Sequence, residues 1–295
     1  MNLQYSETFY SPQGEGAYVG IPSLWLRFFL CNLQCHGFGQ DDPTNPDTWE
    51  LPYEEIDISR IKVVEELPVF SKGCDSSYTW ARKYKHLITD KTVEQAVDEL
   101  TTLLPTGTFI HEKTGQNIDM VFTGGEPMLK RTQPGMMAIV EEFGKRDNMP
   151  SRVTIETNGT MPITDDFACW IEENYTSWYD REWYWSVSPK LWSTAGEQAK
   201  KAIKPEIVGK YAKVSDHGQL KFVVNGSQES WIEVEENVEQ FRLNGCDWPV
   251  WIMGVGGTVE GLKMTEAMIA DEAIQRGYYY TSRVHAHIYG NAIGK

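Results

Sequence analysis

The feature that most constrains this chain is a cysteine motif written in two pieces. Cys31-Asn-Leu-Gln-Cys35 follows the apolar run Leu24–Leu30, and a third cysteine comes after 38 intervening residues, within Gly73-Cys74-Asp75-Ser76-Ser77-Tyr78-Thr79-Trp80. A fold that uses the three thiols together must loop the intervening chain out and bring it back. Joined, the pieces read C-N-L-x-C-x-x-C-D-S-x-Y-x-W. Three thiolates can hold three irons of a [4Fe-4S] cluster and leave the fourth iron open to a ligand. An open iron is what S-adenosylmethionine needs in order to chelate and be cleaved reductively. Cys31 and Cys35 alone fit a zinc knuckle with His36, or plain buried thiols, equally well. The residues around the three cysteines favour the cluster. Cys169 and Cys246 lack such company and read as small buried apolar side chains.

Composition sets outer bounds. The chain has 295 residues, 41% of them apolar and 11 of them tryptophan, which suits an ordinary globular core. A net charge of -15 and a pI near 4.9 disfavour stable binding to nucleic acid. Five cysteines are an odd number, which argues against a disulfide framework. The start Met1-Asn-Leu-Gln-Tyr5 does not read as a leader, and no apolar run approaches the ~18 residues needed to span a bilayer. The expectation is a cytoplasmic protein with no membrane contact, in a compartment where thiols stay reduced.

Along the chain, strand and helix signals alternate. Strands are expected at Leu24–Leu30, Asp119–Thr123, Arg152–Glu156, Trp183–Val187, Gln219–Val224 and Pro249–Met253. Helices are expected at Thr92–Leu104, Met136–Phe143, Phe167–Asn174 and Thr265–Arg276. Alternation of this kind predicts an α/β fold of parallel strands joined by crossover helices, with chemistry at the strand C-terminal ends. The stretch 36–72 is polar and rich in Pro and Asp. Asp41-Asp-Pro-Thr-Asn-Pro46 excludes regular structure there. We read it as an insertion, a lid or subdomain, in a chain that is otherwise one domain spanning 1–295.

Val121-Phe-Thr-Gly-Gly-Glu-Pro127 adds a strand that runs into two glycines. Glycines there let backbone approach a ligand, and Glu126 is an acceptor for an ammonium group. Further motifs are Ser11-Pro-Gln-Gly-Glu-Gly16 followed by Gly20-Ile-Pro22 and Arg27, then Ile155-Glu-Thr-Asn-Gly-Thr160 and Ser188-Pro-Lys190. Leu220-Lys-Phe-Val-Val224 and the tail Ser282-Arg-Val-His-Ala-His-Ile-Tyr-Gly-Asn291 complete the series. In this order the motifs resemble the 7-carboxy-7-deazaguanine synthase family of radical S-adenosylmethionine enzymes, almost end to end, with the insertion as the main interruption.

The resemblance implies a partial (β/α) barrel with a [4Fe-4S] cluster on Cys31, Cys35 and Cys74, S-adenosylmethionine, and Mg²⁺ held through Ser76. It implies cofactor contacts at Gly73, Cys74, Asp75, Gly125, Glu126, Ser188, Pro189, Lys190, Met253, Gly254 and Val255. Substrate contacts are implied at Pro12, Gln13, Gly14, Glu15, Arg27, Thr123 and His285. The implied substrate is 6-carboxy-5,6,7,8-tetrahydropterin, whose amide-like edge suits Gln13 and Glu15 and whose carboxylate suits a bidentate pair with Arg27. The implied partners are an electron donor such as flavodoxin and a second copy in a homodimer. Two other readings stand beside this one: a glycyl-radical-activating enzyme, and a non-catalytic regulatory descendant. Gln13, Glu15 and Arg27 weigh against the first, and the three retained cysteines against the second. Cys74→Ala should abolish cluster assembly as fully as Cys31→Ala or Cys35→Ala, while Cys169→Ala and Cys246→Ala keep it. Iron content and visible absorbance after anaerobic reconstitution measure this directly.

Overall fold

The computed structural model describes residues 1–290 and 292–294. Asn291, which closes the tail motif, and Lys295 lie outside the described residues. The strands are β1 (Asn2–Pro12), β2 (Pro22–Phe28), β3 (Thr89–Thr92), β4 (Asp119–Gly124), β5 (Arg152–Thr157), β6 (Glu182–Val187), β7 (Gly218–Val224), β8 (Val250–Gly254) and β9 (Tyr279–Tyr280). They form one sheet in the order β3-β1-β2-β4-β5-β6-β7-β8-β9. From β2 through β9 the pairings are parallel. At the other end β1 is antiparallel to both β2 and β3. The described sheet keeps two edges, β3 and β9, so the barrel is partial.

Side chains alternate along these strands, and the alternation divides two environments. Leu24, Leu26 and Phe28 of β2, Met120 and Phe122 of β4, Val153 and Ile155 of β5, and Leu220, Phe222 and Val224 of β7 all enter the main apolar core. The residues between them include Arg27, Thr123, Glu156 and Lys221, which line a cavity on the other side of the sheet. Period-two geometry sorts them in this way. In β1 the register shifts between Tyr5 and Glu7. Tyr5 and Thr8 both donate to Glu99 on the helix side, whereas Glu7 meets Arg27 on the cavity side. An irregularity of this kind re-aims a side chain.

Helices cover the apolar face. The helix Val93–Leu103 is opened by a capping box between Thr92 and Gln95, and it buries Val93, Ala96, Val97 and Leu100. The expected helix at Phe167–Asn174 is α-helical over Asp165–Ile171 and then widens to a π-turn over Glu172–Thr176. Thr265–Arg276 proves to be the second half of a longer helix, Val259–Gln275. Three strands (β1, β3 and β9) and the helices Pro205–Val214 and Gln228–Leu243 have no counterpart among the expected elements.

The stretch 36–72 folds as short helical turns, Pro46–Thr48, Pro52–Glu55, Ile58–Arg60 and Val64–Glu66. Its Tyr53, Val64, Leu67 and Phe70 pack with Tyr78, Ala81, Tyr84 and Leu87 in an apolar cluster separate from the main one. Cys246 is buried as expected, but Cys169 is exposed on its helix, which corrects that expectation.

Gly209 lies within the helix Pro205–Val214, where alanine is the better helix former by about 1 kcal/mol. A methyl at that position would sit 2.1 Å from the Asn244 carbonyl oxygen. Gly209→Ala should therefore destabilise the fold against its propensity gain. A lower denaturant midpoint in equilibrium unfolding is the expected result.

Candidate active site

The cavity opens at the C-terminal ends of the parallel strands and has a volume of about 280 Å³. Cys31 and Cys35 reach it from the loop after β2, and Cys74 from the segment that returns out of the insertion. All three thiols are free and pack together with Leu33, Phe38, Ala195 and Ala202. Two residues in the loop, Leu30 and Cys35, adopt the left-handed backbone region, with φ of 83° and 52°. Strain of this sort persists only where surroundings over-determine it. Here the Leu30 amide donates to Thr79 at 2.7 Å, and buried Glu197 accepts from the Gln34 and Cys35 amides at 2.7 and 2.9 Å.

Burial pushes the Cys31 thiol up to about 12, with Glu126 adding to the shift. Burial likewise takes Cys74 to about 11, helped by Asp75 and opposed by the Trp80 indole. Thiols so placed ionise in favour of a strongly positive ligand. Among the described residues no three His, Cys, Asp or Glu side chains converge on a single-ion site. The three thiols instead line the wall of one cavity, an arrangement that fits an iron–sulfur cluster on three cysteines. His36 is engaged elsewhere. Its Nε2 lies 3.1 Å from the Tyr53 hydroxyl, and its ring packs among Trp49, Tyr53 and Trp80.

Every other expected site residue lines this cavity except Glu126 and Pro189. Glu126 is fully buried, and its carboxylate accepts from the Met128 amide (2.8 Å), the Thr157 hydroxyl (2.6 Å) and the Asn158 amide (2.8 Å). Burial also holds its pKa above the usual carboxylate range. Glu126 therefore ties the loop after β4 to the loop after β5, and its side chain does not line the cavity. Gly125 keeps its expected place. A side chain there would meet the Leu30 carbonyl oxygen at 2.2 Å, so only glycine lets the two loops lie this close. Ser188 and Lys190 adjoin, Lys190 Nζ donating to the Ser188 hydroxyl at 2.9 Å.

On the floor, the structure adds partners that the motifs do not reveal. Arg27 donates through Nε to Glu7 Oε1 at 2.6 Å. Gln13 and Thr123 both donate to Glu156, each at 3.2 Å. Glu15 is bound by Lys221 at 2.5 Å and by Arg283 at 3.1 Å, and Arg283 also donates to Asp75 at 2.6 Å. Glu15 and Arg27 thus enter the cavity already partnered within the protein. Burial alone would raise the Glu15 pKa, but Lys221, Arg283 and His285 outweigh it and hold the carboxyl far below its usual range. His285 is pressed against Gly14, where any side chain would overlap the imidazole. Burial lowers its pKa despite nearby Glu15.

Glu7, Glu156 and Lys221 carry one legible signal: an ionisable residue alternating with core residues in a strand, as in Leu220-Lys221-Phe222. Arg283 falls within the tail motif, where the resemblance implies no role for it, and Glu197 carries no signal, since a loop far away in sequence brings it in.

No family model matches the chain. It is 25% identical to the 7-carboxy-7-deazaguanine synthase of Rhodopirellula baltica, over 99% of this chain and 89% of that protein. It is 26% identical to the same-named protein of Halobacterium salinarum, over 98% and 91%. The chain is thus similar, over nearly its whole length, to proteins named 7-carboxy-7-deazaguanine synthase. The crystal structure of QueE from Escherichia coli shares its fold, with a TM-score of 0.53 at 15% identity over 97% of this chain and 95% of that one. No helix among the described residues is long and apolar enough to cross a membrane.

The buried ions make a prediction about pH. Glu15 and Asp75 have folded pKa values below their unfolded ones. Such groups add stability above about pH 4.5 that is lost as pH falls toward the folded value. Glu15→Gln should lower stability at neutral pH and flatten its fall between about pH 6 and about pH 3. Denaturant unfolding across that range, compared with the parent, reads both effects.

Proposed function

We infer that this chain is a 7-carboxy-7-deazaguanine synthase, a radical S-adenosylmethionine lyase that contracts the ring of 6-carboxy-5,6,7,8-tetrahydropterin with loss of ammonia. The observation that carries this reading is one cavity lined at once by Cys31, Cys35 and Cys74 and by Gln13, Glu15, Arg27 and Thr123. Cys31, Cys35 and Cys74 would hold a [4Fe-4S] cluster, which with S-adenosylmethionine would supply one-electron radical chemistry at this cavity.

The protein's part is binding, orientation and exclusion of water. Gly125, Ser188 and Lys190, with Met253, Gly254 and Val255, form the wall beside the cysteines and offer backbone and polar groups to S-adenosylmethionine. Asp75, pinned by Arg283, and Gly73 continue that wall from the cysteine segment. With Nε engaged by Glu7, Arg27 keeps its two terminal nitrogens as a fork for the substrate carboxylate. Glu156, holding Gln13 and Thr123, presents an acceptor to the guanidine-like edge of the pterin. Phe70 and Ser71 of the insertion border the same cavity and narrow its access to water.

Mg²⁺ is a finer part of the proposal. Ser76 offers a hydroxyl oxygen, a donor suited to a hard cation, 3.5 Å from Arg27 Nη1. Ser76 would hold Mg²⁺ there, with the Asp75 carboxylate, 3.1 Å from its hydroxyl, and the substrate carboxylate offsetting the positive charge of Arg27. An external one-electron donor such as flavodoxin, a homodimeric assembly and a cytoplasmic location complete the reading.

Anaerobically reconstituted protein should convert 6-carboxytetrahydropterin to 7-carboxy-7-deazaguanine, detected by mass and ultraviolet absorbance. Arg27→Ala should weaken pterin binding by about 30-fold or more, the loss expected for one partner of a desolvated pair. Arg27→Lys should restore it only in part, since lysine lacks the fork. Absence of product with an intact cluster would overturn the assignment and favour an enzyme acting on a protein substrate.

A further inference from the structure

Glu7 is the least explained charged group in the cavity. Its side chain is 2% exposed, yet it borders the site. Oε1 carries both of its hydrogen bonds, from Arg27 Nε at 2.6 Å and from the Tyr78 hydroxyl at 2.7 Å. Oε2 is buried and has no hydrogen-bond partner among the described residues. A buried carboxylate oxygen without a donor is costly, so its position calls for a ligand that donates.

The surroundings say which kind. Arg27 holds Nη1 beside Ser76, on the cysteine segment, while Nε faces Glu7. Phe9, two residues along β1 from Glu7, lies under the guanidinium at 5.9 Å. Arg27 and Glu7 border the same cavity, so a ligand whose carboxylate pairs with Arg27 lies beside Glu7 as well. The register shift between Tyr5 and Glu7 is what turns this carboxylate inward. In 6-carboxytetrahydropterin the carbon bearing the carboxylate is bonded to N5, which carries a hydrogen.

We propose that Glu7 is a specificity-determining residue whose Oε2 accepts the N5–H of the substrate while Oε1 holds Arg27 in register, so that the site selects a carboxylate with an adjacent ring N–H. The proposal rests on the substrate class inferred above. Tyr78 makes the arrangement rigid, because it belongs to the segment that carries Cys74.

The test compares two ligands on the reconstituted protein with S-adenosylmethionine present: 6-carboxytetrahydropterin, and 6-carboxypterin, whose N5 has no hydrogen. The parent should prefer the tetrahydro form by about tenfold or more, the scale of a hydrogen bond to a charged acceptor. In Glu7→Gln the amide nitrogen can donate to the bare N5, so the preference should collapse or invert. In Tyr78→Phe, which leaves Oε2 in place, the preference should persist although both ligands bind less well. A merely structural role would weaken both ligands alike and leave their ratio unchanged. Equal affinity for the two ligands in the parent, or an unaltered ratio in Glu7→Gln, overturns the proposal. The parent measurement stands even if the variant fails to fold. Binding of neither ligand by the parent would instead overturn the substrate assignment itself, and this proposal with it.

Discussion

Charge is tolerated inside this half-barrel because ionised side chains there are paired. Lys221 sits within a strand whose seven residues are all buried, a place where an unpaired ammonium costs several kcal/mol. It is held there by Glu15, which comes from the turn after β1, and Glu15 is held in turn by Arg283 from near the C-terminus. Arg283 passes the constraint to Asp75, beside Cys74. Four ions from four distant segments close one network, and the positions of the cysteine segment, the floor and the tail follow from it. Removing one member would leave its neighbours charged and dry.

A second tier of contacts places the sulfurs. The cysteine loop is fixed by Glu197 on one side and by the packing of Gly125 against Leu30 on the other. Glu126 serves the same end from beneath, joining two strand-end loops through its buried carboxylate. A residue that pattern matching assigns to a ligand can thus be the support on which the ligand's wall is built. The distinction rests on burial and on how many of its oxygens are already taken.

The insertion changes how the cavity is enclosed. Its apolar cluster includes Tyr78, which also donates to Glu7, so the packing of the insertion and the setting of Arg27 share a residue. Gly257 approaches the Phe70 carbonyl closely on the far rim. The returning segment therefore delivers Cys74 and walls the site together, which explains how a split motif can still act as one.

Much was legible from local pattern. Leu24–Leu30 and Gln219–Val224 read as strands because buried strands need continuous apolar runs, and the capping box at Thr92 marks its helix in the sequence itself. The cysteines, Gly125 and Arg27 stood out because their chemistry is local and rare. Less visible was β1, whose residues alternate through an irregular register, and β3 and β9, which are too short to show a period. The sequence by itself determined which residue types bear chemistry and that they lie at strand ends. Only the tertiary structure decided their partners: Arg27 with Glu7, Glu15 with Lys221 and Arg283, Glu126 with two loop amides. Ion pairs and hydrogen bonds between distant segments depend on which strands become neighbours, and no local periodicity carries that information.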